Sequence, residues 1–314
     1  MKLSVAMITY NQERYIGQAI ESVLAQSVNF DYEIVIGEDC STDSTREIVM
    51  NFARGYPNCI VPLVRDHNLG GPRNLDATLA SCRGQYVALL EGDDYWTSVD
   101  KLQKQVDFLD AHPDRALCCH RVKFVNEIDP ADFYIYPPRA AGAYTLEDLL
   151  QANFVVTCSV VMRRELMGDV PMWLSEMKVG DWARSALVAR HGTIELMDES
   201  MATYRVHPGG VWTSLSPSTQ LLEVTRTLRR LDEHLGFQYT NAIWRTITWP
   251  YLEKALTARS NGRRVDTAKH LVNCMWNGGL RSRWNWRPLA GLAAYAVFGP
   301  WYEAARRAGR TVFR

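Results

Sequence analysis

Gln85-Tyr-Val-Ala-Leu-Leu-Glu-Gly-Asp-Asp-Tyr-Trp96 begins as a short apolar run and stops abruptly in three carboxylates, Glu91, Asp93 and Asp94. An apolar run of this kind reads as a strand inside a parallel sheet covered on both faces. Open α/β sheets bind ligands just beyond the carboxyl ends of such strands. Adjacent carboxylates repel unless a cation lies between them, so a divalent metal is one reason to gather them there. Oxygen-only ligation suits Mg²⁺ or Mn²⁺, and Mg²⁺ sites commonly join one or two carboxylates to substrate phosphates. A second reading also fits: an acidic helix N-terminus, because Ser98 and Asp100 open a helical pattern just afterwards.

Working outward, strands and helices alternate through the first hundred residues. Leu3–Ile8, Tyr32–Gly37, Cys59–Val64 and Tyr86–Leu90 read as strands. Between them, helical patterns cover Gln12–Gln26, a stretch ending at Arg54 and capped by Ser41 or Thr42, and Arg73–Cys82. Strands alternating with helices of this length indicate βαβ units and a parallel sheet. Further on, Lys101–Ala111 reads as a helix and Ala116–Val125 as a strand. Residues 126–143, with Pro130, Pro137 and Pro138, read as a loop or lid. Thr145-Leu-Glu-Asp148 spells a capping box. Val155–Arg163 reads as a strand, Trp182–His191 as a helix and Thr193–Val206 as mostly extended. Beyond Pro217 the pattern is helical, which marks a change of architecture near residue 215.

With 314 residues and 47% apolar content, the chain can bury a full core, as one large domain plus an appendage. Its formal net charge of zero argues against a general nucleic-acid binder, which shows a basic excess. Seven cysteines lie scattered with no CxxC pair, a pattern of reduced thiols and not of disulfides or a zinc site. The N-terminus runs straight into a strand pattern without cleavable-signal architecture. A cytoplasmic enzyme, free or peripheral on the inner face of the membrane, is the expectation.

Four motifs stand in a fixed order: Ser4-Val-Ala-Met-Ile-Thr-Tyr-Asn11, Gly37-Glu-Asp-Cys-Ser-Thr-Asp-Ser-Thr45, Leu69-Gly-Gly-Pro-Arg-Asn74 and Leu89-Leu-Glu-Gly-Asp-Asp-Tyr-Trp96. In order and spacing they resemble family 2 glycosyltransferases, inverting enzymes of the GT-A fold that use nucleotide-sugar donors. The resemblance covers about residues 1–212. It implies an α/β GT-A catalytic domain over 1–215, with a nucleotide-binding half at 1–97 and an acceptor-binding half at 98–215. A helical region at 216–314 follows.

The same resemblance assigns roles. Asp39 falls on the base-contacting position. A carboxylate only accepts hydrogen bonds, so Asp39 suits the N3–H of uracil or thymine, whereas turn chemistry alone would also explain an Asp there. Thr9, Asn11 and Glu13 lie in the loop that cradles uridine, and Arg73 matches a position facing base and phosphate, or is a surface arginine at a helix start. The family's acidic motif usually reads Asp-x-Asp-Asp and here reads Glu91-Gly-Asp-Asp94. By carry-over, Asp93 faces ribose or metal, and Asp94 is a direct metal ligand. Asp181, in Val179-Gly-Asp-Trp182, matches the catalytic base, although Asp is also a favoured helix cap. His207 matches a histidine on the metal or diphosphate, where a structural role is the alternative. Trp96, Trp182 and Trp212 could wall the acceptor or simply fill the core.

The implied reaction is Mn²⁺- or Mg²⁺-dependent transfer from a UDP-sugar or dTDP-sugar to a glycan or lipid-linked glycan in surface-glycan assembly. A sugar-phosphate nucleotidyltransferase would need a Gly-rich loop after the first strand, and Thr9-Tyr-Asn-Gln-Glu-Arg14 has no glycine. A non-catalytic binding module would not need Asp181 together with Asp93 and Asp94. Residues 281–314 hold seven Arg against the single Glu303, around an apolar stretch edged by Trp284, Trp286 and Trp301. That composition fits an interfacial helix on an anionic bilayer, or a helix packed on 217–280.

Overall fold

The structure, a computed structural model, describes residues 1–275, 292–294 and 296. The first half builds β1 (Leu3–Thr9), α1 (Ile16–Leu24), β2 (Tyr32–Glu38), α2 (Thr45–Gly55), β3 (Ile60–Val64), α3 (Gly71–Leu79) and β4 (Tyr86–Glu91). These strands pair in parallel in the order β3-β2-β1-β4. β1 and β4 are almost wholly buried, as continuous apolar runs must be inside a parallel sheet. α1 packs on it through Ile16, Ala19, Ile20 and Val23.

Beyond the acidic turn come β5 (Tyr95–Trp96), α4 (Lys101–Ala111), β6 (Arg115–Asn126), β7 (Phe133–Tyr136), β8 (Gly142–Tyr144), α5 (Leu146–Gln151), β9 (Val161–Arg163), α6 (Gly180–Val188) and β10 (Thr193–Val206). The sheet continues β4-β9-β6-β10-β5, with β7 on β6 and β8 on β10. β9 is antiparallel to both β4 and β6, while β6 and β10 run parallel. The sheet is therefore mixed: a parallel half next to a half of mixed direction.

Several sequence expectations need correction. α2 starts at Thr45 after Ser44, with no side-chain cap, because Ser41 and Thr42 are engaged by Asn11 instead. The first helix opens at Ile16, not Gln12, since residues 13–15 form a turn. The supposed loop at 126–143 contains the edge strands β7 and β8. The supposed strand at 155–163 is broken by a 3₁₀ turn at Thr157–Ser159, and only Val161–Arg163 pairs. The capping box stands as read: Thr145 Oγ1 accepts from the Asp148 N–H, and the Asp148 side chain accepts from the Thr145 N–H.

The chain divides into two compact units, Met1–Thr227 and Leu228–Arg314. α7 (Pro217–His234) spans that division, and α8 (Thr240–Ser260) and α9 (Arg264–Cys274) follow. In the second unit, Leu252, Ala255, Leu271, Cys274 and Leu292 form a small buried cluster. Among the described residues, no helix is long and apolar enough to cross a membrane. The interfacial-helix expectation for 281–314 lies, apart from residues 292–294 and 296, outside the described residues. All seven cysteines are free.

Candidate active site

β4 ends at Glu91, and the turn Gly92-Asp93-Asp94 leads into β5. Gly92 sits against the loop after β1: a Cβ there would come within 2.6 Å of Gln12 Oε1 and 2.9 Å of Thr9 Cβ. The absent side chain thus lets the two loops close together. Asp94 is buried; its Oδ1 accepts the Arg205 backbone N–H at 2.9 Å. Oδ2 of Asp94 and Oε2 of Glu91 are shut off from solvent with no hydrogen-bond partner among the described residues.

Burial, followed by the Asp94, Asp93 and Asp181 charges, holds the Glu91 carboxyl well above the ordinary carboxylate range. Burial and the Asp93 charge raise Asp94 in the same way, against the opposing pull of Arg205. Crowded, desolvated carboxylates of this kind mark functional sites more often than structural ones.

β10 brings in the other wall. Arg205 is buried; its guanidinium donates to the Asp93 carbonyl oxygen and to Gln18 Oε1, and pairs with Glu127 at 3.1 Å. It also lies over the Tyr95 ring, 4.4 Å from the centroid. His207 Nε2 stands 3.1 Å from Asp93 Oδ2, and its ring leans on Tyr15. Burial, then the Glu91, Asp94 and Asp93 charges, push the Tyr204 phenol above its usual range, so it stays a neutral hydroxyl. Arg205 and Tyr204 escaped the sequence reading although they sit two and three residues from His207. Only the strand pairing of β10 with β5 and β6 carries them to the acidic turn.

Asp181 lies in the first turn of α6, where Val179 holds the cap position. It is therefore not a cap. Burial raises its carboxyl, against its own and the Trp182 N–H and the Thr157 hydroxyl. Thr157 Oγ1 donates to Asp181 Oδ2 at 3.5 Å, and the same hydroxyl pulls the Glu91 carboxyl down against its burial. The 3₁₀ turn that interrupts the expected strand thus joins the acidic turn to α6. An ion pair between buried Arg184 and Asp76 fastens α6 to α3.

In the nucleotide half, Asp39 is buried and accepts the backbone N–H groups of Leu69 at 2.8 Å and Gly70 at 2.9 Å. Asn11 Oδ1 accepts from the Thr42 N–H at 2.8 Å, and Glu13 Oε2 from the Ser44 N–H at 2.9 Å. These side chains stitch the loops after β1 and β2 together. Thr9 Oγ1 donates to Gln12 Oε1 at 2.8 Å, and Arg73 is exposed in the first turn of α3.

Two expectations fail. Trp96 and Trp182 are only 4% and 5% exposed. Their indole N–H groups donate to the Cys158 and Leu149 carbonyls at 2.9 and 3.0 Å. Both are core residues and offer no face to an acceptor. Large aromatic rings next to a site are drawn into the core by the area they bury.

Among the described residues, no three His, Cys, Asp or Glu side chains enclose an ion unaided. The two orphaned carboxylate oxygens beside Asp93 and His207 nonetheless form an oxygen-rich half-site. Such a set fits Mg²⁺ or Mn²⁺ completed by substrate phosphates.

Residues 4–170, more than half of the chain, match the family model described as "Glycosyl transferase family 2". The chain belongs to that family. An uncharacterized protein of Mycobacterium tuberculosis is 38% identical over 213 residues, 68% of this chain and 61% of that protein. The aligned chain thus spans about three fifths of that curated relative's length. The Staphylococcus aureus poly(ribitol-phosphate) β-N-acetylglucosaminyltransferase TarS is 34% identical over 128 residues, 40% of this chain and 22% of TarS. The structure of TarS 1–349 with UDP-GlcNAc superimposes with a TM-score of 0.63 at 19% identity, covering 88% of this chain and 81% of the other. A Pyrobaculum calidifontis mannosyltransferase bound to GDP-Man and Mn²⁺ superimposes with a TM-score of 0.58 at 16% identity, covering 96% and 82%. The fold of this family 2 member is therefore GT-A.

Proposed function

We propose that this chain is a metal-dependent, inverting glycosyltransferase that moves a sugar from a UDP-sugar, or a dTDP-sugar, to a hydroxyl of a surface-glycan acceptor. The observation that carries the reading is the pair of orphaned oxygens on Glu91 and Asp94, at the carboxyl end of β4, with the Asp181 charge acting on the same Glu91 carboxyl. Family membership and the nucleotide-sugar complexes of the two solved neighbours support the donor class. The name of TarS, a poly(ribitol-phosphate) β-N-acetylglucosaminyltransferase, supports a polymer as acceptor.

Asp181 takes the proton of the acceptor hydroxyl as that oxygen attacks C1 of the donor sugar. Burial raises its affinity for protons above that of an exposed Asp, which suits a general base. The C1–oxygen bond to the diphosphate breaks, UDP departs, and the anomeric configuration inverts. Asp93, Asp94 and His207 would hold Mn²⁺ or Mg²⁺, which when bound offsets charge growing on the leaving diphosphate. Asp39 retains lone pairs for a pyrimidine N3–H beyond the two it gives to Leu69 and Gly70. Thr9, Asn11 and Glu13 frame that base, and Arg73 faces the donor from α3.

The test is nucleotide release from UDP- and dTDP-sugars, with and without Mn²⁺. Metal-dependent UDP or dTDP release, with inversion at C1 seen by NMR in the product, supports the proposal. With pyrophosphate added, formation of UTP or dTTP and sugar 1-phosphate would assign a nucleotidyltransferase, and no turnover a binding module.

A further inference from the structure

Three aromatic rings form one row across three neighbouring strands. Strand register sets Phe124 of β6 opposite Tyr134 of β7 on one side and Tyr204 of β10 on the other. Phe124 stacks on Tyr134 at 4.9 Å and 12°, and on Tyr204 at 4.6 Å and 25°. Those separations match the spacing between strands, so the pairing itself enforces the stack. Tyr134, at its outer end, is 55% exposed.

Beside this row opens a cavity of about 360 Å³, with Trp212 as a further aromatic wall and Asn126, Asp132 and Gln220 among its polar lining. Small-molecule sites commonly occupy roughly 300–1,000 Å³ and combine aromatic walls with a few placed polar groups. The polar residues are held in place. Asn126 Nδ2 donates to Asp132 Oδ2 at 3.3 Å, and Gln220 Nε2 to the Trp212 carbonyl at 3.0 Å.

The cavity adjoins the acidic site. Tyr204 lines it, and the next residue, Arg205, holds Asp94 through its backbone N–H at 2.9 Å and the Asp93 carbonyl through its guanidinium. Thr213, also in the lining, donates to the His207 carbonyl at 3.0 Å.

We propose that this groove is the acceptor subsite and receives a pyranose ring of a glycan next to the bond being formed. A pyranose offers flat C–H faces to aromatic rings and hydroxyls around its rim to amide and carboxylate groups. The groove's lining holds both kinds of group. An acyl or prenyl chain would satisfy the rings but take water from the remaining donors and acceptors of Asn126, Asp132 and Gln220 without replacing it, at a cost. The assignment rests on reading the acidic site as the place of transfer, and it puts the acceptor wall at Tyr134 and Trp212 in place of Trp96 and Trp182.

Saturation-transfer NMR on the full chain, with UDP and Mn²⁺, tests it. The probes are the methyl glycosides of glucose, galactose, mannose and N-acetylglucosamine, with decyl glucoside as the lipid-like arm. At least one methyl glycoside should show ring-proton transfer. The signal should fall about fivefold or more in Tyr134→Ala and Trp212→Ala and return in Tyr134→Trp, each variant melting cooperatively. Glycoside signals unchanged in both alanine variants overturn the proposal. Transfer confined to the decyl chain also overturns it and assigns a lipid groove. A wild-type chain that binds UDP but gives no glycoside signal overturns the groove alone. A chain that ignores UDP overturns the transferase reading and the acceptor role with it.

Discussion

The backbone N–H of Arg205 donates to Oδ1 of Asp94 across 2.9 Å, so β10, which pairs with β5, also holds the acidic turn before it. The guanidinium of the same residue also holds that turn, with the Asp93 carbonyl, Gln18 and Glu127 as partners. Arg205→Met keeps the backbone bond and much of the packing while removing the charge. Stability should fall by about 3 kcal/mol, the scale for breaking a buried pair. Urea denaturation checks this, and a loss below about 1 kcal/mol would mean the cation is dispensable.

Asp94→Asn separates binding from folding. Relieved of repulsion from Asp93 and of the cost of burying charge, the metal-free variant should melt no lower than wild type. Turnover should nevertheless drop about 10²–10³-fold, the scale of losing one electrostatic contact to a transition state. Mn²⁺-dependent UDP binding, followed by calorimetry, should vanish with it. A variant that still binds UDP only when Mn²⁺ is present contradicts the ligand role.

Asp181→Asn should behave differently. Donor affinity stays within about twofold, and transfer slows by about 10²–10⁴, the usual contribution of a general base. Parallel calorimetry and transfer assays distinguish the outcomes. Transfer at the parental rate removes Asp181 from the mechanism.

Lys101 supplies a pH dependence away from the chemistry. Its ammonium is fully buried, 2.7 Å from Gln105 Oε1 and 4.1 Å from the centre of the Trp96 ring, and burial lowers its pKa to about 7. Between that value and the ordinary 10.5, the unfolded chain carries a proton that the folded chain lacks. Stability therefore rises with pH across the window, by at most about 1.4 kcal/mol per unit, and the contribution is flat below it. Lys101→Met should abolish that slope in denaturation curves taken at pH 6.5, 8 and 9.5. Parallel curves for the two proteins would refute the assignment.

The parallel half of the sheet was legible because β1 and β4 are unbroken apolar runs and the helices between strands carry a clear 3.6-residue period. The acidic turn was legible for a related reason: carboxylates directly after a buried strand have few structural uses. Val155–Arg163 misled because its valines favour a strand, whereas tertiary contacts turn Thr157 and Cys158 toward the site. Pro130, Pro137 and Pro138 hid β7, whose Phe133-Tyr-Ile-Tyr136 carries the β signal at a sheet edge, where nearby prolines are tolerated. The contribution of Arg205 depends on strand pairing between segments about 110 residues apart, and no local pattern encodes that. Trp96 and Trp182 show the opposite error, where chemistry suited to a ligand was used for packing.

The stitching of Asn11 to Thr42 and of Glu13 to Ser44 has a kinetic corollary. Two loops that would otherwise flap independently are already fastened before any visitor arrives. A nucleotide settling there meets a rigid ledge, so little freedom is surrendered on arrival. Cutting either stitch, at Asn11 or at Glu13, should slow capture, a loss visible in the association rate of the nucleotide.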